Sequence, residues 1–160
     1  MITEICKSCR NYFATDFKTG ALFGAETGVF SLVDKNITVQ GEYKAGQYIA
    51  VSGSVLNNGV YRIERVNDGV IALESDDLLD EEWSGTVYAL RIPSDFLRLA
   101  KRIGDFANSD DGQAGNVVSA SFGIQSVSYG TNSAGMRAGW QDVFRNDLSK
   151  YRRMFPDITL

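Results

Sequence analysis

The central part of this chain alternates apolar and polar residues with a period of two, which predicts a series of short β-strands. The predicted strands are Val29 to Val33, Ile37 to Val39, Gln47 to Ser52, Val60 to Val66, Val70 to Leu73 and Thr86 to Ile92. Asn67-Asp68-Gly69 predicts a hairpin turn, because Asp-Gly supplies the positive φ that such turns need. Short strands separated by such turns predict a small antiparallel barrel or sandwich.

On both sides of these strands the apolar residues recur at helical spacing. Thr3 begins a first predicted helix, with an apolar face made of Ile5, Cys6, Cys9, Tyr12 and Phe13. Ser94 caps a second predicted helix, which ends near Asn108. A third is predicted from Trp140 to Phe155, with an apolar stripe made of Trp140, Val143, Phe144, Leu148, Tyr151 and Phe155.

Residues 109–139, rich in Gly, Ser and Asn, form the least regular part of the pattern. We expect them to lack regular structure, and loops beyond about 12–15 residues are usually functional or disordered. Apolar residues nevertheless alternate with small polar ones here, and disordered tails are poor in such residues. The segment therefore predicts an interaction arm that becomes ordered against a neighbouring chain, with an inert linker as the alternative. The arm residues singled out are Phe122, Ile124, Val127 and Tyr129.

The order of predicted elements is helix, β module, helix, arm and helix. It predicts an α+β fold in which a small helical bundle carries a small antiparallel β-barrel or sandwich inserted between helix 1 and helix 2. The corresponding division places residues 1–28 and 93–160 in a helical domain and residues 29–92 in the inserted module.

Composition narrows the classes of function. A net charge of −4 over 160 residues argues against a free-standing nucleic-acid binder, which would show a basic face. The same charge is compatible with a lumen through which DNA passes without being gripped. No apolar run reaches the roughly 18 residues that span a membrane, and no signal peptide is recognisable, so we expect folding in a cytoplasm and no membrane partner.

The chain offers little catalytic chemistry. It has no histidine, which removes the commonest general base and metal ligand. Cys6-Lys7-Ser8-Cys9 has the spacing of a redox or zinc pair, but two small apolar residues on a helix face explain it better. The acidic run Asp76, Asp77, Asp80, Glu81 and Glu82 predicts a solvated loop between strands, with a negative surface beside DNA as the alternative. We therefore expect neither an enzyme nor a bound cofactor or metal.

The third predicted helix has two candidate interaction features. Trp140, Phe144 and Tyr151 belong to a stripe that most simply forms the subunit's own core, and an interface is the alternative, since Trp and Tyr are also favoured at interfaces. Lys150, Arg152 and Arg153 complement the helix dipole at its C-terminal end, and contact with phosphate or an acidic partner is the alternative.

Several segments resemble tailed-phage head–tail connector proteins, the adaptor or head-completion subunits beneath the portal. They are the opening Met1-Ile-Thr-Glu-Ile-Cys, the stretch Ser119-Ala-Ser-Phe-Gly-Ile-Gln-Ser-Val-Ser-Tyr, and the closing Trp140-Gln-Asp-Val-Phe-Arg with Leu148-Ser-Lys-Tyr-Arg-Arg-Met. In addition, Val51-Ser-Gly-Ser-Val-Leu-Asn-Asn-Gly-Val-Tyr-Arg-Ile is similar to a stretch found in several phage structural proteins. Small adaptors are mostly helical and lack a β module, so this chain departs from their pattern in residues 29–92.

The resemblance implies a structural subunit of the virion neck. It implies a homo-oligomeric ring, commonly of twelve copies, with the portal protein on one side and the stopper or tail-completion protein on the other. DNA would pass through without specific binding, and the capsid is a further candidate contact of the β module. The alternative from another class is a monomeric β-barrel binding module, with the helices as scaffold and the arm as linker.

Overall fold

A computed structural model describes residues 1–109, 119–122, 125–128 and 139–160 of the chain. The chain divides into two compact units. The barrel unit comprises Ile2–Pro93 and Arg153–Leu160, and the helical unit comprises Met1 and the described part of Ser94–Arg152. Helices are combined with an antiparallel β-barrel, which confirms the predicted α+β class.

Six antiparallel strands close the barrel in the order β1-β2-β5-β4-β3-β6. They are β1 (Ala25–Val33), β2 (Asn36–Thr38), β3 (Tyr48–Ser52), β4 (Gly59–Asn67), β5 (Val70–Glu74) and β6 (Glu81–Leu90). Strand β6 closes the barrel because it pairs with β1 along one edge and with β3 along the other. Each strand predicted from the period of two overlaps an observed strand, and the sandwich alternative is replaced by a closed barrel.

Alternating residues of the strands fill the barrel interior. Along β1, for example, Phe30 and Leu32 are buried whereas Val29, Ser31 and Val33 are exposed. The aromatic rings of Phe30 and Trp83 pack with their centroids 5.4 Å apart. The remaining buried core residues are Ile37, Val39, Ile49, Val51, Ile63, Ile71, Leu73 and Val87. Burial of this apolar face is the main term that stabilises the barrel.

The predicted turn between β4 and β5 is confirmed. Asp68 has a φ of 43° and Gly69 a φ of 79°, so both central residues of this two-residue loop are left-handed. This conformation matches the twist of the flanking strands, which explains why the Asp-Gly pair identified the hairpin in the sequence.

Helix α1 (Ile2–Cys9) belongs to the barrel unit. It ends where Arg10 takes a φ of 53°, and the backbone N–H of Asn11 donates to the carbonyl of Cys6 at 3.0 Å. This is the Schellman pattern of a helix C-terminus. Thr3 is not the cap that the sequence predicted, because it lies inside the helix and its hydroxyl accepts the backbone N–H of Val60 at 3.0 Å.

The end of the chain also belongs to the barrel unit. The carboxylate of Asp157 accepts the backbone N–H groups of Tyr12 and Ala14 at 2.8 and 2.9 Å. The predicted division places residues 1–28 and 93–160 in the helical domain. In the structure, the barrel unit also includes α1 and residues 153–160. The division into a helical domain and an inserted module stays a prediction.

The helical unit contains α2 (Ser94–Asn108), α3 (Trp140–Val143) and α4 (Arg145–Ser149). Helix α2 ends at Asn108 as the sequence predicted, whereas Ser94, the predicted cap, is its first helical residue. The single helix predicted from Trp140 to Phe155 is wrong, because Phe144, with φ −100° and ψ 13°, interrupts it and the last helical residue is Ser149. None of the helices in the described residues is long and apolar enough to cross a bilayer.

Candidate functional site

The predicted interaction arm contains a β-hairpin. Strands β7 (Ser119–Phe122) and β8 (Gln125–Ser128) pair antiparallel, in a register that joins Phe122 to Gln125 and Ala120 to Val127. The expectation that this segment lacks regular structure is therefore wrong for these two strands. Ile124 and Tyr129 lie outside the described residues.

Within the described part of the chain, β7 and β8 form a sheet of two strands and pair with no other strand. A hairpin of two short strands is marginally stable in water, and a third strand or a packing surface is needed to stabilise it. This arrangement makes the hairpin a candidate for contact with a partner.

The predicted helix face is partly buried in the helical unit itself. Phe144 is 7% exposed and Leu148 is fully buried. The aromatic ring of Phe144 packs edge-on against Phe106 of α2, and the Arg102 guanidinium lies 5.5 Å from its centroid. Trp140 is half-buried. Phe144 is therefore part of the subunit's own core.

Tyr151 and Lys150 also have partners in their own unit. The Tyr151 hydroxyl donates to Asp95 Oδ2 at 2.5 Å, and Lys150 Nζ lies 3.1 Å from the same oxygen. The hydrogen bond from Tyr151, followed by that from Lys150, lowers the pKa of Asp95 from 3.8 to about 2. These contacts fix the chain after α4 to the start of α2.

Arg152 and Arg153 differ in their surroundings. Arg152 is exposed in the helical unit, whereas Arg153 is half-buried in the barrel unit. The backbone N–H of Arg153 donates to the Cys9 carbonyl at 3.0 Å, and its Nη1 donates to Thr15 Oγ1 at 3.0 Å. The structure thus does not place the two arginines on one helix end.

A carboxylate organises one end of the barrel unit. Glu81, at the start of β6, accepts hydrogen bonds from Ser54 Oγ at 2.5 Å and from the backbone N–H groups of Val55 and Leu56 at 2.8 and 3.2 Å. The Asn57 side-chain amide donates to the same carboxylate at 2.9 Å. These bonds, that from Ser54 foremost, lower the pKa of Glu81 because they favour its charged form.

The Asn57 side chain joins two loops at this end of the barrel. Its Oδ1 accepts the backbone N–H of Leu79 at 3.0 Å, and its Nδ2 donates to the Leu79 carbonyl at 2.9 Å. Sequence reasoning missed this arrangement, because it interpreted Glu81 only as a member of a solvated acidic run. The available signal was the Ser54-Val-Leu-Asn57 stretch, in which Ser54 Oγ accepts the Asn57 backbone N–H at 2.6 Å.

A cleft of about 510 Å³ lies beside the first residues of β1. Glu26, which lines it, accepts the backbone N–H groups of Gln40 and Gly41 at 2.8 and 3.2 Å. Burial, with a contribution from Glu26, raises the pKa of Tyr43 to about 12. The Arg91 guanidinium lies 4.3 Å from the centroid of the Phe23 aromatic ring. The cleft has the size of a ligand pocket.

The two cysteines are part of the barrel unit's interior. Cys6 and Cys9 are both fully buried. Burial is the main cause that raises the pKa of the Cys6 thiol to about 12, the opposite of what a reactive thiol needs. In the part of the chain that the structure describes, no group of three carboxylate or cysteine side chains is arranged to hold a metal ion.

No family model matches this chain, and no curated protein matches it.

Proposed function

We propose that this chain is a structural head–tail connector, or adaptor, subunit of a tailed-phage virion. Copies of it form an oligomeric ring between the portal and the stopper or tail, and DNA passes through this ring without specific binding. In this proposal the barrel is a module inserted between α1 and α2 of a helical adaptor domain. The chain acts in the virion neck after folding in the host cytoplasm, and it has no enzymatic role.

The observation that carries the proposal is the β7–β8 hairpin. Its sequence, Ser119 to Ser128, belongs to the segment that resembles the adaptor family, and its two strands pair only with each other among the described residues. Contact with a neighbouring subunit or with the portal supplies the packing that a two-stranded hairpin lacks. Ordering such an arm on binding restricts assembly to correctly built partners.

Two hairpin variants test the proposal. Replacing Phe122 and Val127 with Asp places charges on the apolar positions of β7 and β8. We expect this variant to keep its circular dichroism spectrum. It should no longer form rings on the portal protein of the same virus, as measured by light scattering and electron microscopy. The matched control replaces Ser121 and Ser126 of the same strands with Asp, which adds the same charge without removing an apolar residue.

The wild-type chain is expected to bind purified portal protein as an oligomer, and the control variant is expected to do the same. The hairpin has no connector role if the wild-type chain does not bind the portal protein. The same holds if the Phe122 and Val127 variant binds the portal protein as well as the wild type does.

The 510 Å³ cleft favours a second candidate function, a monomeric β-barrel binding module with a helical scaffold. In that case the ligand site would lie near Tyr43 and Arg91, with the helices as scaffold and the arm as linker. A chain that stays monomeric with the portal, and in which Arg91→Ala abolishes binding of a small molecule found by thermal-shift screening, would favour this candidate.

A further inference from the structure

Three large apolar side chains at one end of the barrel unit are exposed on two neighbouring loops. Val55 is 88% exposed, Leu56 54% and Leu79 56%. The first two lie between β3 and β4, and Leu79 lies between β5 and β6. We call these three side chains the apolar tip. Single exposed apolar residues are ordinary on a protein surface, whereas a group of them is typical of an interaction site.

The backbone beneath the apolar tip is held in one arrangement. Asn57, only 1% exposed, binds both backbone polar groups of Leu79, and Glu81 accepts the backbone N–H groups of Val55 and Leu56. A surface that is ordered before it binds loses little conformational entropy on binding. The apolar tip is therefore preorganised to contact another surface.

Carboxylates surround the apolar tip. Asp76, Asp77 and Asp80 are exposed on the same loop as Leu79, and the Asp76 side chain is 99% exposed. The turn between β1 and β2 lies beside this loop, where Lys35 is 2.8 Å from Asp76. The acidic groups outnumber this lysine, so the complementary surface is apolar and flanked by Lys or Arg.

The helical unit carries a surface with this chemistry. Arg98, Lys101 and Arg102 are exposed at positions i, i+3 and i+4 of α2, which places them on one face of the helix. Half-buried apolar residues flank the cations along α2, with Leu97 at one end and Phe106 at the other. The α2 face is therefore positively charged, with partly exposed apolar residues on its two sides.

Two carboxylates limit the positive charge at one end of this face. Asp105 is exposed on α2, and Asp147 of α4 is 3.6 Å from Arg102. Arg98 and Lys101 lie at the other end of the face, and they are the cations used in the test.

We propose that the apolar tip of one copy docks against the α2 face of a second copy, with Asp76 and Asp77 opposite Arg98 and Lys101. Because two different patches meet, the contact is head-to-tail, and it generates a ring when the rotation between copies closes. The inference rests on the proposed function, since it names the contact between neighbouring subunits of the ring.

Charge reversal on each side of the contact tests the inference. One variant carries Asp76→Lys and Asp77→Lys, and the other carries Arg98→Glu and Lys101→Glu. We expect each variant alone to self-associate about tenfold more weakly than the wild type in sedimentation velocity at low salt. An equimolar mixture of the two variants regains association, because the reversed tip of one meets the reversed helix face of the other. Raising the salt concentration weakens all of these contacts.

A third variant tests the apolar part of the contact. Replacing Val55, Leu56 and Leu79 with Ser is expected to weaken association, whereas the control Phe17→Ser, at a loop position that is 90% exposed, leaves it unchanged. Circular dichroism checks that each variant is folded.

The possible outcomes separate this contact from the proposed function. A wild-type chain that stays monomeric, variants that associate normally, or a mixture that fails to regain association each overturn the docking contact. Loss of portal binding by the tip variants with unchanged self-association also overturns it, because the tip then serves a different partner. The connector function itself depends on the hairpin variants and the portal, and it can survive any of these results.

Discussion

Single side chains determine several backbone arrangements that hydrophobic periodicity does not reveal. Tyr151 belongs to the apolar stripe of the predicted terminal helix, yet its hydroxyl donates to Asp95 at the start of α2. Asn57 is buried because its amide satisfies the backbone of a separate loop. In both cases the sequence shows the residue type, whereas its partner lies 20 residues or more away along the chain.

Removing the Tyr151 hydroxyl should change the titration of Asp95. A carboxyl whose pKa is lowered in the folded state stabilises the fold at pH values above its ordinary pKa, here 3.8. This contribution to the free energy of unfolding disappears as the pH falls towards about 2. In Tyr151→Phe the pKa of Asp95 therefore rises towards its ordinary value, and less stability is lost across this pH range. NMR titration of the Asp95 carboxyl measures the shift, with Tyr88→Phe as the control. An unchanged pKa in Tyr151→Phe would contradict the assigned cause.

Adding one methyl group at Gly85 should destabilise the barrel. A Cβ at this position would lie 2.1 Å from the Ser52 carbonyl oxygen and 2.9 Å from the Trp83 ring. The side-chain and backbone shifts that accommodate such overpacking typically lower the free energy of unfolding by about 1–3 kcal/mol. Gly28→Ala is the control, because a Cβ there meets no atom within 4 Å. Urea denaturation measures both, and equal stability of the two variants would show that the barrel tolerates separation of β3 and β6.

The elements differ in how far their own sequence specifies them. Helix α2 is long and strongly amphipathic, and its observed bounds lie within about one residue of the predicted ones. Helices α3 and α4 span only four and five residues, far below the roughly 12–15 residues at which isolated helices become marginally stable. They therefore depend on packing against α2, and the chain after Ser149 follows tertiary hydrogen bonds instead of the helical pattern.

Phe144→Ala tests this dependence. Phe144 is 7% exposed and packs against Phe106, so its truncation should lower the free energy of unfolding by about 3–5 kcal/mol. Val143, its neighbour, is 50% exposed, and Val143→Ala should cost much less. Chemical denaturation followed by helical circular dichroism compares the two. A small loss for Phe144→Ala would show that the helical unit does not rely on this contact.

For the molecule as a whole, the proposed assembly needs surfaces that one copy does not satisfy by itself. The described residues offer two candidates, the β7–β8 hairpin and the apolar tip. The two are tested by different variants because they are proposed to make different contacts, the hairpin with a neighbouring subunit or the portal and the apolar tip with a second copy. A net charge of −4 is compatible with the proposed ring, whose lumen would not retain DNA.

Local patterns were sufficient to predict the six barrel strands, the Asp68-Gly69 turn, α2 and the burial of the cysteine pair. Alternation, helical spacing and turn residues are properties of neighbouring positions. Burial of one apolar face directly stabilises the strands and helices that these patterns predict. The end of the terminal helix, the loop-joining role of Asn57 and Glu81, and the inclusion of α1 in the barrel unit depended on tertiary structure. Each results from hydrogen bonds or packing between residues distant in the chain, for which short-range periodicity carries no signal.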